Sequence, residues 1–150
     1  MAASSTFEEL YAREFVRAVR LAHLLTGAND VAEDLAQDAF LKVRDRLDRI
    51  DNPGGYITTT IVNLCRNWHR SRERELARTQ RAGARDAVSS PHEDVLDVVD
   101  RLPFRQRTVL VARYWLDLPE AEIARLLGCR PGTVKSLASR GLETLRKELS

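Results

Sequence analysis

Glu120–Ser139, EAEIARLLGCRPGTVKSLAS, decides the fold of the C-terminal part of this chain. Two helices that cross at about 120° need three positions to be right. Ala124 is small where the second helix must approach. Gly128 falls in the turn, where a left-handed backbone favours a residue without Cβ. Val134 plugs the second helix into the first, and Ile123, Leu127 and Leu137 extend the apolar wedge at helical spacing. A plain helical hairpin with a glycine turn would need none of these to be in register. The segment therefore predicts a helix-turn-helix.

The solvent side of its second helix is polar. Val134, Leu137, Ala138, Leu142, Leu145 and Leu149 are expected to pack inward, which leaves Lys135, Ser136, Ser139 and Arg140 outside, with Arg146 and Lys147 further along. Cations neutralise phosphates, and short hydroxyls approach base edges in a major groove. Arg130-Pro131-Gly132-Thr133 opens the helix. Proline at the first helical position sacrifices no hydrogen bond, and the free amides there can hold a phosphate.

Outward from this segment almost everything reads as helix, and no alternating strand pattern stands out. A first helix is expected from a capping box at Ser5 or Thr6 with Glu8 or Glu9, through Phe7, Leu10, Tyr11, Phe15, Val19 and Ala22, to Gly27. A second opens at Asp30, boxed with Glu33, and buries Val31, Leu35, Ala39, Phe40, Val43, Leu47 and Ile50. Asn52-Pro53-Gly54-Gly55 interrupts, and a third helix starts at about Tyr56. Apolar periodicity is lost from about Glu73 to His92, where Gly83, Ser89, Ser90 and Pro91 accumulate, and it returns at Val95. The expected fold is all-α: two small helical domains, residues 1–74 and 93–150, joined by a flexible linker over 75–92.

Charge is segregated along the 150 residues although the net charge is only +2. Between Asn29 and Phe40 every charged residue is acidic. Between Arg66 and Arg85 seven arginines face only Glu73 and Glu75. Such a division suggests partners of opposite charge. The third helix carries Ile57, Ile61, Leu64 and Trp68 on its core side. Nearly opposite lies a stripe of Asn63, Arg66, Asn67, Arg70 and Arg74, amides to read bases beside guanidiniums to hold backbone. Tyr56 either stacks on an unpaired base or belongs to the core. The second helix offers Asp34, Gln37, Asp38 and Lys42 beside Leu41.

Two cysteines form no disulfide framework. Cys65 and His69 stand four apart, but no second ligand pair closes a zinc site, so no metal is expected. No paired-carboxylate constellation lies near the basic stripe, so neither a catalytic residue nor a cofactor is expected. The N-terminus lacks a signal peptide, and no stretch approaches a membrane span. A cytoplasmic location without membrane insertion is the expectation.

In this order the segments AEDLAQDAFLKV, DNPGGYITTTIVNLCRNWHRSR and LPFRQRTVLVARYWLDLPEAEIARLLGCRPGTVKS resemble the extracytoplasmic-function sigma factors of bacterial RNA polymerase, over nearly the whole chain. The first two are similar to the sigma-2 domain and the third to the sigma-4 domain. The resemblance implies a subunit, not itself an enzyme, that binds core polymerase through the β′ clamp coiled coil and the β flap. Asp34, Gln37, Asp38 and Phe40 or Leu41 would dock on the coiled coil. Tyr56, Asn63, Arg66, Asn67, Arg70 and Arg74 would read and help melt the promoter −10 element, with the loop from Asp51 to Tyr56 helping to form a pocket for a flipped base. Lys135, Ser136, Ser139 and Arg140 would engage the −35 element, and Arg130 and Thr133 its phosphates. Family members are commonly held by an anti-sigma factor, a further partner the resemblance allows. A stand-alone helix-turn-helix regulator is the alternative reading.

Three departures from the family pattern stand out. Thr58-Thr59-Thr60 precedes Asn63 where a bulkier or basic run is more usual. Pro119 replaces a capping Ser or Thr, with Asp117 the substitute cap, and Arg130 replaces a common capping serine.

Overall fold

In the computed structural model the backbone is described for residues 2–79 and 94–150, and the side chains for residues 6–79 and 94–150. The elements are α1 (Ala2–Thr26), α2 (Asn29–Arg44), a single 3-10 turn (Leu47–Arg49), α3 (Pro53–Thr79), α4 (Val95–Arg101), α5 (Phe104–Tyr114), α6 (Glu120–Leu127) and α7 (Pro131–Leu149). No strand occurs among the described residues. The chain divides into two compact units, Met1–Asn67 and Trp68–Ser150. Of the tether expected over 75–92, residues 75–79 are the end of α3, and the remainder lies outside the described residues.

α1 and α2 pair as a hairpin packed through small side chains. Ala32, Ala36 and Ala39 recur at helical spacing on the buried side of α2, with Phe40 and Val43. Leu10, Ala18, Leu21, Ala22 and Leu25 are the buried apolar residues of α1 among those described. The expected core positions Val31 and Leu35 are only half-buried, because alanine lets the helices approach and displaces larger groups to the rim. The Phe40 ring meets those of Tyr11 at 5.1 Å and Phe15 at 5.7 Å, both edge-on, a favoured aromatic geometry.

The N-terminal capping signals expected from sequence are displaced. α1 begins at Ala2, so Ser5 and Thr6 lie within the helix and do not open it. α2 has Ala28 at its N-cap, and no side chain caps it there, Asp30 included. The joint is made instead by Thr26, whose hydroxyl donates to the Ala22 carbonyl at 2.8 Å and accepts from the Ala28 amide at 3.2 Å. α3 begins at Pro53, three residues before the expected Tyr56. Asn52 serves as a cap, its side-chain oxygen accepting from the Gly55 amide at 3.1 Å, and Pro53 occupies the tolerated first position. A dipeptide that reads as a break is thus a helix start. The buried face of α3 is Ile57, Ile61, Val62 and Cys65.

In the second unit, α4 is opened by a reciprocal capping box: Asp97 N donates to the Asp94 carboxylate at 3.0 Å, and Asp94 N to Asp97 at 3.3 Å. Buried Arg107 donates to the Asp100 carbonyl, which ties α5 to α4. The helix-turn-helix forms as its sequence requires. Ile123, Ala124, Leu127, Val134, Leu137 and Ala138 share one core cluster with Val109 and Ala112 of α5. Gly128 closes α6 with φ 65°, and Cys129 N donates to the Ala124 carbonyl at 3.0 Å. Pro131 opens α7 with Arg130 at the cap position. Gly141 marks a close helix crossing, since a Cβ there would stand 2.9 Å from Leu110 Cδ1.

Two expectations fail in this unit. Asp117 does not cap α6: Pro119 occupies that position, and Asp117 takes a left-handed turn at φ 57°. Leu142 and Leu145 pack against Val99, Leu102 and Leu110, but Leu149 is 41% exposed because the helix has passed the end of the core.

Candidate nucleic-acid interface

α3 separates its chemistry by face. Ile57, Ile61 and Cys65 are buried, while Asn63, Asn67, Arg70 and Arg74 are exposed along the opposite side. The core contacts of one face hold the polar face in place. Arg66 is half-buried, and its guanidinium donates to Asn63 Oδ1 at 3.4 Å. Asn63 is exposed, and this bond engages its side-chain oxygen and not its amide nitrogen. Arg74 Nε donates to the Arg70 carbonyl at 3.4 Å, so its side chain lies back along the helix.

Upstream of these residues, Thr58, Thr59 and Thr60 each donate to the carbonyl four residues earlier, at 3.1, 3.1 and 2.7 Å. Their hydroxyls are consumed by their own helix, a pattern that bends helices slightly and offers little to a ligand. Tyr56 is half-buried, and its phenol oxygen accepts from Arg46 at 3.4 Å. Sequence reasoning passed over Arg46. Ten residues separate the pair, and nothing in the local pattern joins them. The segment from Asp51 to Tyr56, expected as a loop, is mostly the first turn of α3.

On α7, Lys135, Ser136, Ser139 and Arg140 are exposed, as is Arg130 at the helix start, and Thr133 is half-buried. Lys135 Nζ is 3.9 Å from Glu120 Oε1 at the start of α6, a surface pair of little energetic weight. Ser136 donates to the Gly132 carbonyl at 3.2 Å. Exposed Tyr114, with Arg113 stacked over its ring at 5.7 Å, adds an aromatic that sequence reasoning assigned no role. Its position at the end of a helix gave no periodic signal.

A separate acidic surface lies on α2. Asp34, Gln37, Asp38 and Leu41 are exposed at i, i+3, i+4 and i+7, which places them on one face. Phe40 does not belong to that face: it is 2% exposed, against 50% for Leu41. An aromatic ring fills the interior of the hairpin better than leucine, and neighbours on a helix point about 100° apart. Phe40 is therefore a core residue, and Leu41 is the apolar group available for docking.

No cluster of three His, Cys, Asp or Glu side chains that could hold a metal occurs among the described residues. Cys65 is buried, and the His69 ring lies 4.9 Å from that of Trp68. Among the described residues no helix is long and apolar enough to cross a membrane.

A helix-turn-helix in one unit and a helix of exposed amides and guanidiniums fit a DNA-binding protein, and α2 carries an exposed acidic face as well. Residues 10–75 match the family model for sigma-70 region 2, and residues 92–145 the model for sigma-70 region 4. The RNA polymerase sigma-E factor of Streptomyces coelicolor is 32% identical over 79% of this chain and 71% of its own. The ECF RNA polymerase sigma factor SigM of Mycobacterium tuberculosis is 30% identical over 95% of this chain and 76% of its own. Among solved structures, the sigma factor RpoE of Bartonella quintana, determined with the anti-sigma factor NepR, has the same fold, with a TM-score of 0.77 at 23% identity over 96% of both chains. This chain belongs to the extracytoplasmic-function RNA polymerase sigma factors. It is a transcription-initiation factor and not an enzyme. A stand-alone helix-turn-helix regulator would leave the region 2 match without a purpose.

Proposed function

We propose that the protein works in the cytoplasm as the promoter-specificity subunit of RNA polymerase, with residues 1–74 and 93–150 acting on separate promoter elements. Asp34, Gln37, Asp38 and Leu41 dock on the β′ clamp coiled coil, where carboxylates meet basic side chains around an apolar contact. The β flap is the second polymerase contact. Asn63 hydrogen-bonds the edge of an extruded −10 base, and Arg66, Asn67, Arg70 and Arg74 hold the strand that carries it. Extrusion costs a few kcal/mol of unstacking, which polymerase binding and the strand contacts offset. Tyr56, steadied by Arg46, borders the base-binding position.

Lys135, Ser136, Ser139 and Arg140 bind the −35 element as duplex, and Arg130 with the amides at the start of α7 takes its phosphates. An anti-sigma factor that covered these surfaces would silence the protein. The reading is carried by α3, which exposes Asn63 and Asn67 directly behind a buried apolar face. Purified protein mixed with core polymerase should initiate at promoters identified by mapping transcript starts after overexpression. Failure to bind core polymerase would refute it.

A further inference from the structure

The two helices of the helix-turn-helix begin with opposite charge. α7 has Arg130 at its cap position and no acid in its first turn, whereas α6 opens with Glu120 and Glu122 behind Pro119. Those carboxylates oppose the positive end of the α6 dipole and make it a poor seat for phosphate. Glu122 is engaged on its own helix by Arg125, three residues on. Glu120 instead faces α7: its Oε1 stands 3.9 Å from Lys135 Nζ. The lysine side chain is 73% exposed and that of the glutamate 34%, so the acid is the better-held partner. On α7 itself the nearest acid to Lys135 is Glu143, eight residues on.

In the free protein water screens this pair, and it adds little to stability. Against DNA the balance changes, because water is displaced and charges act on one another more strongly. Lysine is a flexible, strongly hydrated point charge, and counterion release favours its contact with phosphate whatever the sequence. A phosphate drawn to Lys135 would also approach the Glu120 carboxylate and be repelled by it, whereas an uncharged base edge would not. Lys135 begins the second turn of α7, and the leading residues of a recognition helix are those that reach base edges. Its ammonium has three donors. With one turned toward Glu120, two remain for the O6 and N7 acceptors that guanine presents side by side in the major groove.

We propose that Glu120 is a specificity-determining residue that acts through Lys135: it denies this lysine to the phosphates and holds it over a guanine edge of the −35 element. The inference rests on the reading of α7 as the helix that enters the −35 major groove. Glu120 is a positioning residue and makes no DNA contact of its own. Its carboxylate lowers affinity for duplex of any sequence and raises discrimination at one G·C pair.

The test uses holoenzyme and a set of templates from one mapped promoter, each with a single −35 base pair replaced, together with one whose −35 region is scrambled. For the parent, replacing one G·C pair should weaken binding by about 5-fold or more. Glu120→Gln should bring that ratio close to one. On the scrambled template it should tighten binding and steepen the slope of log K against log salt by about 0.9, as Lys135 takes a phosphate. Lys135→Ala should lose the same ratio, and adding Glu120→Gln to it should change neither ratio nor slope. An unchanged ratio in Glu120→Gln, or an equal gain on every template, overturns the proposal. An effect of Glu120→Gln that persists without Lys135 overturns it too, since the glutamate would then act on DNA directly. If the parent discriminates at no −35 pair, the major-groove reading of α7 falls, and the role of Glu120 with it.

Discussion

Asn63→Ala separates function from fold most sharply when it is set beside Ile61→Ala, two residues earlier on the same helix. Ile61 is fully buried and Asn63 exposed. Truncating a buried isoleucine removes its transfer free energy and leaves a cavity, a loss of about 2–5 kcal/mol. Truncating an exposed asparagine that accepts a 3.4 Å hydrogen bond from Arg66 should change stability by no more than about 0.5 kcal/mol. If Asn63 bonds the edge of an extruded base, the same change removes about 1–3 kcal/mol from the open complex, roughly 5- to 150-fold in its population. Urea denaturation followed by circular dichroism measures the first quantity, and permanganate reactivity of unpaired thymines on a mapped promoter the second. Binding to core polymerase, read by a labelled-protein titration, should be the same for Asn63→Ala and the parent. The reasoning is refuted if Asn63→Ala loses core binding and promoter opening together, or melts at markedly lower urea.

The neighbouring pair on α2 should divide in the same way. Phe40→Ala should cost about 3–5 kcal/mol in a denaturant titration, whereas Leu41→Ala should leave stability near that of the parent and weaken core-polymerase binding. Gly128→Ala places a Cβ at φ 65° and should destabilise the second unit by about 1–2 kcal/mol, read as a lower denaturation midpoint. Arg130→Ala should reduce the salt slope of −35 duplex binding by about 0.9 regardless of which base pair is altered, because its role is with phosphate and not with a base edge.

How much could be read from sequence follows from how local each signal is. The helix-turn-helix was legible because Ala124, Gly128 and Val134 act within one short segment, and each residue type has few alternatives at its position. The stripe on α3 was legible because a helix repeats every 3.6 residues and its polar and apolar sets were cleanly divided. The start of α2 was not. A threonine in the preceding helix makes the joint, so Asp30 and Glu33 resembled a capping box that the chain does not use. Asn52-Pro53 can end a helix or begin one, and only the hydrogen bond from the Gly55 amide distinguishes the two. Phe40 and Leu41 are adjacent and both apolar, and choosing between them required the rings of Tyr11 and Phe15. Arg46 and Tyr56 meet only after α2 and α3 have been placed.

A photo-reactive side chain introduced at Gln37 in one variant and at Asn67 in another tests the central claim most directly, with both variants assembled on core polymerase and a mapped promoter. The acidic face of α2 should crosslink to the β′ subunit and not to DNA, and the polar face of α3 to the non-template strand at −10. Crosslinks from α2 to DNA, or from α3 to protein alone, would contradict the assignment of these two faces.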